Sequence, residues 1–337
     1  MCRVFTMTNR VALALVLVLA ALRLPQSAAA DRVDLREDPS ESRILKVEVE
    51  LSVSGKIYPE PGPEKALKLA VDAGFDYAER RLAGTGRDSL SLRSVRYYEK
   101  ARATIEAGGQ TSNSLLRKSL RLIVAHGQPE GIDLFSPSGP LTDRELDLLH
   151  VPGDSLAVAG LLPDSKVEQG ETWKPAEWIL PLLTGVDAIE KGELTCKLAI
   201  VKPDVARVEF AGEVAGATVG AAAAIRVEGH LLYDREQKLV TSIELTQSEK
   251  RAIGAVSPGL DVVAKVAITR AALEHPERLT DKDIADLPVE SNAASRLLMF
   301  DAPAWNVRFY HDRHWHLFHQ SAEVALLRLL DNGGLIA

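Results

Sequence analysis

From residue 45 onward, apolar and polar side chains alternate with a period of two over most of the chain. Leu45, Val47, Val49, Leu51 and Val53 are interleaved with Lys46, Glu48, Glu50 and Ser52, which puts one set on each face of a β-strand. A helix would scatter the same side chains around its axis. The period returns along Leu67, Leu69, Val71, Ala73, Phe75 and Tyr77, then along Leu194, Cys196, Leu198 and Ile200. It recurs in Ala206, Val208 and Phe210, in Ile225, Val227, Gly229, Leu231 and Tyr233, in Leu239, Thr241, Ile243 and Leu245, and in Val262, Ala264, Val266 and Ile268. Lys202-Pro203-Asp204 and Asp234-Arg235-Glu236-Gln237 supply turns between consecutive runs, so the strands are expected to form an antiparallel meander with one dry face and one wet face. The expected fold class is mainly β, α+β overall: a curved antiparallel sheet or partial barrel over residues 45–270, carrying a few short helices.

Two short helices interrupt this pattern. Thr142 stands three residues before Glu145, with Leu146, Leu148 and Leu149 following, the spacing of a capping box. A second helix is expected over residues 176–183, limited by Pro181. Further strands are expected at residues 120–124 and 132–135. Residues 31–44 are polar and aperiodic and read as a flexible lead-in. Residues 271–295, with Pro276 and Pro288, read as a linker. Residues 296–337 read as the start of a second, incomplete α+β unit: Val307, Phe309 and His311 alternate, and Asp331-Asn332-Gly333-Gly334 is a hairpin turn with three residues left for a return strand, as though the domain stopped early at Ala337.

Residues 1–30 have the organisation of a secretory signal peptide: Arg3 and Arg10, an apolar run at 11–22, and Ala28-Ala29-Ala30 for cleavage. Met7 is an alternative start. The apolar run is shorter than the roughly 20 residues that span a bilayer, so no transmembrane span is expected after cleavage. Cleavage removes three Arg from 40 basic residues and none of the 47 acidic ones, leaving a formal charge of −10. That surface repels phosphate, and no nucleic-acid partner is expected. With Cys2 lost, Cys196 is the remaining cysteine, so stability must come from burial rather than an internal disulfide. The expected location is periplasmic or extracellular.

Four of the eight histidines fall within nine residues, at His311, His314, His316 and His319. In a strand, His314 and His316 point the same way with Asp312, a geometry open to Zn²⁺ or Cu²⁺; the competing reading is an edge strand whose imidazoles cover aromatic neighbours. Gly212, Gly216 and Gly220 precede Ala221-Ala222-Ala223-Ala224, leaving room beneath a sheet for an apolar ligand or for close packing. Residues 93–102 combine four basic residues with Tyr97 and Tyr98; with Glu99 among them they read as a solvated strand face. No Gly-x-Ser-x-Gly nucleophile motif occurs, Ser54-Gly55 and Ser138-Gly139 read as turns, and Cys196 shares an apolar face, as a buried hydrophobe does.

Leu162-Pro163, the Val167-x-x-Gly170-Glu171-Thr172-Trp173 turn, and Gly229-x-Leu231-x-Tyr233-Asp234 before Leu239 and Glu244 together resemble the markers of exported bacterial β-rich proteins of the domain-of-unknown-function kind. The resemblance covers roughly residues 45–270, implies a curved antiparallel sheet, and supplies no activity. Residues 297–318 are distantly similar to the opening of small α/β sandwich domains of the photosystem-associated, Mog1-like type. The expected function is non-catalytic binding or scaffolding in the cell envelope, holding a small apolar ligand or a partner envelope protein, with no cofactor. The alternative is a metal-binding protein or metal-dependent enzyme using His311, His314, His316 and His319 with zinc or copper, and a purely structural envelope protein is a third reading.

Overall fold

The computed structural model describes residues 32–37, 43–62, 65–82, 84, 88–321 and 323–330, and the backbone of 335–336. The expected signal segment and the 331–334 turn lie outside these residues.

The alternating runs form strands of unusual length. β1 (Ile44–Tyr58), β2 (Leu67–Arg81) and β3 (Arg93–Ala107) each have 15 residues, against the usual 5 or 6. β8 (Ala188–Val201), β9 (Val205–Thr218), β10 (Ala221–Asp234), β11 (Leu239–Arg251) and β12 (Gly259–Ala272) have 13 or 14. Burial follows the sequence period: Leu45, Val47 and Val49 are buried while Lys46, Glu48 and Glu50 are exposed. Shorter strands complete the sheet: β4 (Gln110–Leu115), β5 (Leu122–Gln128), β6 (Gly131–Phe135) and β7 (Thr172–Trp173).

All twelve belong to one antiparallel sheet, ordered β6-β5-β3-β2-β1-β12-β11-β10-β9-β8-β7, with β4 paired to β3. The first and last long strands pair with each other, from Leu45 opposite Ala272 to Tyr58 opposite Gly259. This pairing fuses two meanders into a curved sheet that does not close as a barrel. Ser54-Gly55, expected in a turn, lies inside β1. Gly55 has φ +153°, and a Cβ there would meet the Asp261 carbonyl oxygen at 2.2 Å, so only glycine lets β12 come this close.

The dry face is covered by the chain between β6 and β8, which also includes β7. That segment carries α1 (Asp143–Leu149), a 3₁₀ turn at Ala157–Leu161 and α2 (Ile179–Thr184). Leu149, Leu156, Leu161, Ile179 and Leu183 are buried in one cluster with Val47, Phe75, Val208, Leu231, Ile243 and Ile268. α1 begins with the expected capping box, the Glu145 amide donating to Thr142 Oγ1 at 3.3 Å and the Thr142 amide to Glu145 Oε2 at 3.0 Å.

Residues 32–37, read from sequence as part of a flexible lead-in, are packed instead. Val33 exchanges two backbone hydrogen bonds with Val167 (2.8 and 3.0 Å), and Leu35 is fully buried. Glu37 accepts from Arg81 Nη1 at 2.6 Å, Arg270 Nη1 at 3.0 Å and the Val240 amide at 2.6 Å. Glu37 places its charge inside the molecule, whereas Arg32, Asp34 and Arg36 keep theirs at the surface.

The described residues fall within one compact unit. The expected linker contributes α3 (Asp281–Ile284) and a buried Leu279, packed with Ile44 and Val95. Beyond it, β13 (Leu298–Ala302) pairs with β14 (Val307–His311), and β15 (Trp315–Gln320) pairs with β16 (Ala325–Leu329), which pairs with β17 (Leu335–Ile336). This C-terminal segment holds no α-helix among the described residues. Phe300 stacks on Phe309 at 5.0 Å. The Met299 amide donates to Leu141 O at 2.8 Å, and Arg313 Nη2 donates to Leu134 O at 2.7 Å, which docks the segment against β6 and the start of α1.

Candidate functional site

The polar face of the sheet curls into an open trough of about 1400 Å³, lined from β4 and β3 on one side to β8 and β7 on the other. Register explains how residues far apart in sequence meet there. Gly74 lies opposite both Glu50 and Arg102, Ala267 opposite both Glu50 and Glu244, His230 opposite both Glu244 and Glu209, and Lys197 opposite both Glu209 and Thr172. With a period of two, every side chain in that row leaves the same face.

The lining is banded by charge. Lys100 and Arg102 stand on β3, Asp72 and Glu50 on β2 and β1, Lys265 on β12, Glu244 and Glu228 on β11 and β10, and Lys197 on β8. Arg207 and Glu209 pair at 3.5 Å. Lys100, Arg102, Lys197 and Lys265 form no ion pair among the described residues, nor do Glu50, Asp72 and Glu244. Both signs are therefore available to a ligand. Leu115, 66% exposed, adds an apolar contact at the β4 wall.

A second cavity, of about 850 Å³, lies where β6, α1, the end of α2 and the ends of β9 and β11 meet the C-terminal strands. Asp143 and Asp147 sit one turn apart on α1 and both line it, as do His150, His314 and His316. Asp147 is exposed on the cleft wall; neighbouring protein displaces part of its water and, together with Asp143, pushes its carboxyl up to about 6. His150 and His316 are lowered, in each case chiefly because nearby protein displaces the water that would favour the charged ring. Burial also opposes charge on His311, but the Asp143 carboxylate, with an oxygen 3.4 Å from Nε2, outweighs it and the net shift is upward.

No family model matches the chain, and no curated protein does. Among solved structures, the lipovitellin of a study of lipid-protein interactions aligns with 76% of this chain at 12% identity and a TM-score of 0.37, and the chain spans 27% of that protein's length. DynF from the dynemicin biosynthesis pathway of Micromonospora chersina aligns with 74% of this chain and 89% of its own, at 8% identity and a TM-score of 0.21. Likeness at this level indicates no shared site.

The structure separates the four clustered histidines. His311, at the end of β14, is buried against Asp143. His314 lies in the following turn with Nδ1 against the Asp312 carboxylate, and His316 is on β15; both line the same cleft, although His314 does not share a strand with His316. His319, beyond a register shift between Leu317 and His319, is exposed. Among the described residues, no three His, Cys, Asp or Glu side chains converge so as to hold a metal ion.

The room at the glycines is taken by the neighbouring strand. A Cβ at Gly212 would lie 2.3 Å from Glu193 O, and one at Gly216 would lie 2.1 Å from Ala188 O and 3.0 Å from the Val186 side chain. Residues 93–102 are not simply a solvated face. Arg96 is 1% exposed; its Nε donates to Glu79 Oε1 at 2.8 Å and its two Nη groups to both Asp154 oxygens at 2.8 and 2.5 Å. Ser94 and Ser155 also donate to Glu79, and the guanidinium lies 5.4 Å from the Tyr77 ring centre. The cluster fastens the loop after α1 to the sheet. Cys196 is fully buried as expected, and burial pushes its thiol up to about 12. No helix among the described residues is long and apolar enough to cross a membrane.

Proposed function

We propose that the chain is an exported, non-catalytic binding protein of the cell envelope, and that the trough holds an amphipathic molecule or an extended segment of a partner protein. The observation that carries this reading is the convergence of ten strands on one open cavity in which seven charged side chains, four basic and three acidic, form no ion pair among the described residues. Opposite charges facing one another across strands can pair for a modest gain, and these seven make no such pair. The apolar face is already filled by α1, α2 and the loop between them, so an apolar portion of the ligand finds contact at Leu115 and along the aliphatic stems of the lysines. A trough of this size matches the cavities that enclose small organic molecules, roughly 300–1,000 Å³, with space to spare for a larger one.

The test uses native mass spectrometry on protein recovered from the culture medium or envelope of an exporting host. The wild type is expected to carry a bound molecule or partner chain that Lys265→Glu releases, since Lys265 is exposed and its reversal leaves the core intact. An empty wild-type trough, or equal retention by the variant, contradicts the proposal.

A further inference from the structure

One rim of the trough is an open sheet edge. β4 pairs with β3 alone. The Leu116 amide donates to Ala101 O at 3.2 Å, which makes Arg102 and Leu115 a non-hydrogen-bonded pair. By the alternation of an antiparallel ladder, the backbone N–H and C=O groups of Thr111, Asn113 and Leu115 then point away from β3. These three residues are exposed, and those groups bond to nothing among the described residues. Sheets ordinarily protect such an edge with lysine, proline or a covering element, and the other edges of this sheet have such protection. β8 carries Glu190, Lys191 and Glu193 beside the strip that β7 covers, and Arg313 Nη2 occupies Leu134 O on β6. Gln110-Thr111-Ser112-Asn113-Ser114-Leu115 has no charge, proline or glycine.

Charge at this rim selects the occupant. Arg102 is the β3 residue opposite Leu115, and Gly74 stands opposite Arg102 on β2. A Cβ at Gly74 would lie 3.1 Å from Lys100 Nζ, so the Lys100 ammonium lies over the glycine and joins Arg102 on the trough side. Neither forms an ion pair among the described residues. We propose that β4 takes an extended, acidic segment of a partner protein as an added strand, its carboxylates set toward Arg102 and Lys100. The proposal rests on the trough being a binding site, and it names which occupant is held and where. Main-chain bonds to the three open residues of β4 supply affinity, and the charges select sequence. A residue opposite Leu115 stands two strand spacings from Arg102, roughly 10 Å, which a glutamate and an arginine span between them. A second copy of the chain does not fit. Leu115 and Thr172 border one cavity from opposite ends of the sheet, so a whole sheet added in line at β4 would follow the same curl into the opposite wall.

Fluorescence anisotropy of a dye-labelled peptide, Thr-Glu-Val-Glu-Val-Glu-Thr, titrated with the full chain tests this. Saturable binding of one peptide per chain is expected, with the peptide carrying lysine for glutamate at least about tenfold weaker. In an extended peptide the glutamate and valine amides face opposite edges. N-methylation of the glutamates or of the valines therefore blocks one edge at a time; one isomer, and not the other, is expected to lose about tenfold or more, and which one gives the direction of the added strand. Asn113→Pro removes an outward donor that no β3 bond uses, a position where an edge strand tolerates proline, and is expected to weaken the peptide at least about tenfold. Arg102→Glu is expected to cost about fivefold. Circular dichroism checks both folds, and the N-methyl isomers decide on the wild type alone should either variant unfold. Equal affinity of the two isomers or of the lysine peptide, no saturable binding, or a peptide-free dimer that Asn113→Pro dissolves overturns the inference. If native mass spectrometry still finds a molecule that Lys265→Glu releases, the added strand alone has failed; an empty trough there fails the binding reading itself.

Discussion

Glu37 shows how much one side chain can carry when it is buried between two cations. Burial alone would raise its carboxyl, but the Arg270 and Arg81 guanidinium groups overcome that and hold it down at about 2. Its ionised form therefore favours the folded state above the ordinary Glu range. That contribution is lost as pH falls from about 4.5 through about 2. Glu37→Gln leaves Arg270, with a fully buried side chain, uncompensated, and is expected to cost about 3–5 kcal/mol in urea unfolding at pH 7, with the difference from wild type shrinking below pH 4. A loss under about 1 kcal/mol, or one independent of pH, contradicts this assignment. Glu37 could not be recognised in the sequence, because its partners stand 44 and 233 positions away. Arg96 was equally opaque: amid exposed-looking charges, nothing local marks it as the arginine that enters the core.

At the level of elements, local chemistry was readable wherever it acts locally. The alternating runs became strands because each presents one apolar row, and α1 starts at Thr142 because Thr142 and Glu145 satisfy each other's amides. Thr142→Ala is expected to cost about 1 kcal/mol, seen as a lower urea midpoint with an unchanged slope; no change in midpoint would mean that the Arg117 bonds to Glu145, at 2.7 and 2.6 Å, hold the helix end by themselves. His314 and His316 line one cleft, but His314 stands in the turn before β15, so strand alternation is not what brings them together. Asp143 and Asp147, one turn apart on α1, line that cleft too, and the remaining walls come from residues far away in the chain, which no local pattern announces. The glycine series was ambiguous because a missing side chain makes room for whatever comes close, here the β8 backbone.

Across the whole molecule, the decisive pairing is β1 with β12, which joins strands more than 200 residues apart in the chain. Turn chemistry specifies hairpins between neighbours in sequence and is silent about which edge meets which. The meander of β8 to β12 and the strands β1 and β2 were therefore readable and the β1–β12 pairing was not, and the trough exists only because of that pairing. From β4 to β7 the path crosses nine strand-to-strand steps, roughly 43 Å if the sheet were flat at ~4.8 Å per step. Leu115 and Thr172, at opposite ends of that path, line the same cavity. Spin labels at Leu115→Cys and Thr172→Cys, with Cys2→Ser and with Cys196 buried out of reach, measure the curl by pulsed electron paramagnetic resonance. A sheet curled around its polar face gives a narrow distribution well short of roughly 43 Å; a distance at or beyond that value means the sheet lies open and no trough exists to bind anything.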